Sequence, residues 1–235
     1  MPGSTRSAAS ARPVRAAALG ALGVVTVLAT VSGCAGTGAK STDATAATTA
    51  PATGRAAGQL SAAQLPDGAA EGWQPLAAPR VQAVTSAIQL NECASVQGAA
   101  DWQQQAYVSV HRTPAEQDLF TFSDGSAAGA AYQSLLTQMA GCQAASRALQ
   151  TKSLGSADAQ VTTTATTAGG TAWSRRWTGV EGLSAGGPQT DHLYAVQRGS
   201  ALAVVHFDEW DATHAPAYDT RSDGALLTSI ARQLA

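Results

Sequence analysis

The sequence predicts an α+β fold: a single domain with helices packed on one face of an antiparallel β-sheet, and one disulfide. Three observations carry this. Between residues 102 and 208, runs of alternating apolar and polar residues follow one another across short turn signals, as in hairpins. Two stretches with apolar residues at helical spacing interrupt and then close that series. All 5 Trp, 4 Tyr and 3 Phe lie between Trp73 and Tyr218, so the large rings belong to one region.

Residues 1–33 read as an export signal. Arg6, Arg12 and Arg15 precede an uncharged run from Ala16 to Val31, broken by Gly20 and Gly23. This run is short of the ~20 apolar residues that span a bilayer stably. Val31-Ser32-Gly33-Cys34 follows and looks like a bacterial lipobox: a branched apolar residue, two small ones, then a cysteine that takes the lipid. Cys34 is therefore the expected lipidation site, with palmitate-type chains anchoring the protein to the outer face of the cytoplasmic membrane. Residues 34–58 carry the lipidated Cys and then mostly Ala, Thr, Gly and Ser with one Pro, and no aromatic or large aliphatic residue, the composition of a flexible tether. Its coil reach is roughly 26 Å. Gly38-Ala39-Lys40-Ser41 misses a phosphate-binding loop by one residue and lies in this tether without strand or helix.

Residues 59–235 form the expected domain. Leu60 to Pro66 reads as a helical turn ended by Pro66, and Trp73 to Leu76 as a short strand. A loop from Gln89 to Val96 carries Cys93. Trp102 to His111 is a strand with Trp102, Ala106, Val108 and Val110 on one face. Asp118 to Phe122 is the next strand. Ser123 or Asp124 can cap a helix to about Ala140, with Ala128, Tyr132, Leu135, Leu136 and Met139 as its stripe and Gly141 as its stop. Gln160 to Ala168 and Thr171 to Glu181 flank the turn Gly169-Gly170. Asp191 to Arg198 and Ala201 to Asp208 flank Gly199-Ser200, which suits a tight hairpin turn. Ser222 or Asp223 caps a last helix with Leu226, Leu227, Ile230 and Leu234 inward.

The charge balance excludes whole classes of function. Lys and Arg number 14 and Asp and Glu 16, for a net −2, and loss of Arg6, Arg12 and Arg15 with the signal takes this to −5. A mildly acidic mature chain is not expected to bind nucleic acid. Of the 3 Cys, lipidation uses Cys34 and leaves Cys93 and Cys142 to pair in an oxidising compartment.

Leu65-Pro66 through Cys93, the strand Trp102 to Val110, the helix end Met139-Ala140-Gly141-Cys142-Gln143 and the hairpin at Arg198-Gly199-Ser200 together resemble the PknH-like extracellular sensor domain of actinobacteria. The resemblance covers about residues 60–235. The Ala-rich, Lys-poor and Asn-poor usage suits such a source. That family occurs outside membrane-bound serine/threonine kinases and in free lipoproteins, and commonly has two disulfides, of which only the first is matched here. The resemblance implies a curved sheet with a cleft that senses or binds something outside the membrane. It supplies no catalytic residue.

Several constellations carry possible chemistry. Gly182-Leu183-Ser184-Ala185-Gly186 matches G-x-S-x-G, and Asp211 and His214 follow in hydrolase order. A nucleophile elbow, however, needs a helix directly after the serine, and Gly187-Pro188 and a hairpin follow instead. His206, Asp208, Glu209, Asp211 and His214 cluster at a strand exit, where solvated charges are the simpler reading and no metal is expected. Trp173, Arg175 and Trp177 share one strand face, with the indoles about 13 Å apart. With Tyr194 they are the expected wall of a ligand platform, using cation–π contact. Trp102, Tyr107, Tyr132, Leu135 and Met139 read as core, and His111 and His192 receive no functional role.

The expected protein is thus a cell-envelope lipoprotein with a non-catalytic extracytoplasmic sensor-like domain for an unknown small ligand, without a cofactor. A second reading is an accessory or structural envelope protein that binds another protein. A remote third is a serine hydrolase using Ser184.

Overall fold

The computed structural model describes residues 58–210 and 217–235, all within the unit that runs from Thr49 to Ala235. The signal segment, Cys34, residues 35–57, Asp211 and His214 lie outside the described residues. No described helix is long and apolar enough to cross a membrane.

A 3-10 turn at Ala62–Gln64 and the short helix α1 (Gly68–Glu71) lead into β1 (Gln74–Pro75) and β2 (Arg80–Ala83). A small hairpin, β3 (Ile88–Gln89) and β4 (Ser95–Val96), encloses Cys93. Then come β5 (Asp101–Val108), β6 (Pro114–Thr121), the long helix α2 (Gly125–Leu154), β7 (Gln160–Thr167), β8 (Gly170–Gly179), β9 (Gly187–Arg198), β10 (Ala201–Trp210) and α3 (Asp223–Gln233). The main sheet runs β1-β5-β6-β10-β9-β8-β7, with β2 also paired to β5, and its pairs are antiparallel. The α+β class and the Cys93–Cys142 disulfide are as expected, with Cα atoms 5.3 Å apart at the bond. Gly199 turns the β9–β10 hairpin at φ 55°.

The helices lie on both faces of the sheet, not on one. Leu193 and Ala195 of β9 and Leu202 and Val204 of β10 pack with Tyr132, Leu135 and Met139 of α2. The intervening Tyr194, Val196, Ala203, Val205 and Phe207 pack with Leu226, Leu227 and Ile230 of α3 and with Leu60, Leu65 and Trp73. The cause is in the sequence: β9 and β10 are apolar at successive positions, which is the pattern of strands covered on both sides.

Helix α2 also runs far past Gly141, to a cap at Gly155 with φ 73°. Asp124 starts it by accepting from the Ala127 N–H at 2.8 Å. Gly141 sits on its exposed side, so no cap forms there. The buried stripe continues as Cys142 and then the polar Ser146 and Gln150 at the same spacing. Cys142 therefore ties the middle of the helix, not its end, to the β3–β4 hairpin.

Candidate ligand-binding pocket

On the α2 face, the apolar rows of the sheet give way to charged ones toward the C-terminal end of β10. Cross-strand register sets them. Glu116 lies opposite His206, which lies opposite Leu193. One step further, Asp208 lies opposite Asp191, which lies opposite Arg175. The β3–β4 hairpin brings Glu92 over the same end. A cavity of about 470 Å³ opens there, walled by Leu90, Leu183, Leu193 and Trp210 and by Glu92, Arg175, Asp191, His206 and Asp208.

Arg175 organises the buried side. Its guanidinium pairs with Glu92 and with Asp191, donates to Ser146 Oγ at 3.0 Å and stacks 4.0 Å over the Trp177 ring. His206 organises the other side. Its Nε2 lies 3.2 Å from Glu116 and 3.7 Å from Asp118. Gln104 donates to Glu116 at 3.0 Å and Trp102 to Asp118 at 2.8 Å. Burial alone would lower the His206 pKa. The hydrogen bond to Glu116 and the charges of Asp118, Glu116 and Asp208 outweigh it and push His206 up to about 9. The bond from His206 holds Glu116 below its usual value. Burial raises Asp118 to about 6. Burial, then the facing Asp191, raises Asp208 to about 7.

The donor atoms of Glu116, Asp118 and His206 lie within 4.8 Å of one another, close enough for one metal ion. A protonated His206 already fills that role by bridging both carboxylates. The sequence groups His206 with Asp208, Glu209, Asp211 and His214 as a polar strand exit, and the first three lie within the described residues. His206 and Asp208 do share a face, but Glu209 turns to the other one and meets His192 at 2.7 Å. The missed partners are Glu116 and Asp118. Their alternation on β6 is visible in the sequence, but starting that strand at Asp118 left Glu116 in a loop.

The expected platform of Trp173, Arg175, Trp177 and Tyr194 does not form. The first three share a face, but α2 and the β3–β4 hairpin cover it, and all are buried. Trp173 packs in the α2 core, Arg175 is spent on its ion pairs, and Trp177 packs with Ala159 and Val180. Each borders a different depression, and only Arg175 reaches the charged cavity. Tyr194 lies on the opposite face, where its hydroxyl and that of Tyr218 both donate to buried Asp223 at 2.9 Å.

Ser184 stands at the rim of the cavity, yet its Oγ is committed to its own loop. It accepts from the Val180 N–H at 3.0 Å and donates to the Ala185 carbonyl at 3.1 Å. A strand, β9, follows this turn.

No family model and no curated protein matches the chain. Among solved structures it is similar to the crystal structure of the extracellular domain of PknH from Mycobacterium tuberculosis, with a TM-score of 0.42 and 12% identity over 69% of this chain and 82% of that one.

Proposed function

We propose that the chain is a cell-envelope lipoprotein whose folded part is a non-catalytic domain that binds a small ligand in the charged cavity. The carrying observation is that cavity: about 470 Å³, with apolar walls and several charged side chains converging on one side. The Cys93–Cys142 bond supports an oxidising, extracytoplasmic setting. Cys34 supplies the anchor, and the residues before the fold supply the tether. The committed hydrogen bonds of Ser184 favour binding over acyl transfer.

Two experiments test this. Labelling with a clickable fatty acid marks the wild-type chain and spares Cys34→Ala; equal labelling of both refutes the anchor. Fractions of envelope extract change the tryptophan fluorescence of the wild-type chain. Leu183→Trp, which fills the mouth of the cavity without altering its charge, abolishes the response at its own baseline. A response that survives this variant places binding elsewhere.

A further inference from the structure

We infer that the ligand of this cavity is a small organic cation, an ammonium group carried on an apolar body. The inference rests on the cavity being the binding site and adds the chemistry of its occupant.

The first ground is charge. Among the described residues, Glu92, Glu116, Asp118, Asp191 and Asp208 converge on this end of the sheet against two cations, Arg175 and His206. Each cation is already shared between two carboxylates: Arg175 between Glu92 and Asp191, His206 between Glu116 and Asp118. Asp208 is the surplus. It stands directly opposite Asp191 in the β9–β10 register, and like charges in that relation destabilise a sheet. Burial first, and then the facing Asp191, raise the Asp208 carboxyl against the pull of His206 and Arg175. A cation seated against Asp191 and Asp208 would relieve the repulsion.

The second ground is the remaining wall. Leu90, Leu183, Leu193 and the indole of Trp210 line the same cavity. A bare metal ion needs three or four convergent donors and gains nothing from such walls. The Asp191–Asp208 pair offers two carboxylates, and His206 stands in the Glu116–Asp118 position. An ammonium needs only one or two acceptors, and its carbon body would be covered by the leucines and Trp210, with cation–π contact available from the indole. The volume suits a molecule of fragment size or somewhat larger.

The test uses the full chain and probes of one shape and different charge: benzylamine, benzyl alcohol and benzoate, with calcium chloride as the bare cation. Titration calorimetry and amide chemical shifts are read together. Benzylamine is expected to bind with Kd about 1 mM or tighter and to move the resonances of Asp191, Asp208 and Trp210. Asp208→Asn, checked for an unchanged melting profile, weakens it tenfold or more, and Asp208→Ser does the same. Benzyl alcohol and benzoate bind at least tenfold more weakly. Four results overturn the inference: no benzylamine binding up to about 20 mM, equal binding of the alcohol or benzoate, calcium binding at Asp208 in preference to benzylamine, or unchanged benzylamine affinity in Asp208→Asn. The alcohol or benzoate bound at the cavity would leave the binding-domain reading standing and remove only its charge preference. Absence of any extract response in the wild-type chain would remove the binding reading itself.

Discussion

Replacing Arg175 by methionine removes the buried guanidinium between α2, the β3–β4 hairpin and the charged end of the sheet. Arg175 is 5% exposed, while the side chains of Glu92 and Asp191 are 15% and 19% exposed. Methionine fills much of the volume over Trp177 but leaves both carboxylates without their shared cation and Ser146 without its donor. Breaking a buried pair from one side costs about 3–5 kcal/mol. Both carboxylates keep some contact with water, so the lower end applies, about 3 kcal/mol. For a folded region of this size that is a fall in Tm of roughly 6–12 °C. Urea unfolding at neutral pH measures it, with an unchanged m-value as evidence that the two states are the same. Asp191→Asn in the same chain removes one of the stranded charges and should recover about 1–3 kcal/mol of the loss as coupling energy. A loss below about 1 kcal/mol, or strict additivity of the two substitutions, would refute the reasoning.

Three further outcomes follow from other contacts. His206 has a raised folded-state pKa, so its stabilisation is complete below pH 6.5 and is lost as pH rises through about 9. Stability should fall across that window by up to about 3 kcal/mol, and His206→Gln should flatten the pH dependence of urea midpoints there. Cys93→Ala with Cys142→Ala opens a closed loop with a sequence separation of 49 and should cost about 4 kcal/mol, read by the same unfolding curves. Gln150 donates to the Thr178 carbonyl at 2.8 Å and accepts from the Asp158 and Ala159 N–H groups at 3.0 Å each. Gln150→Leu strands these groups, so it should cost about 2–4 kcal/mol and speed amide exchange at residues 158–159.

The fold class was legible because strand alternation and turn chemistry are local. The β9–β10 hairpin follows directly from Gly199 and the flanking alternation. The disulfide followed from setting Cys34 aside. What stayed hidden is where polar residues are buried. Ser146 and Gln150 continue the inward stripe of α2, but an apolar pattern cannot reveal them, so the predicted helix stops short of Leu154. The same blindness made Trp173, Arg175 and Trp177 look like a surface ladder, because Arg175 and Trp177 are covered by the unseen half of that helix and by the hairpin around Cys93. The site itself depends on pairings across sequence separations of 90 residues, such as His206 with Glu116, and no local pattern encodes that partner. His206 and Asp208 could be placed on one face by alternation; what stood opposite them could not.

The claim that the charged cavity holds a small ligand is tested most directly by native mass spectrometry of the mature chain purified gently from its own host. The account expects the chain to carry a small molecule that is released on collisional activation, bears a basic nitrogen, and is missing from both Leu183→Trp and Asp208→Asn. An unliganded mass for the wild type, in samples that retain the lipid anchor and the disulfide, would contradict it.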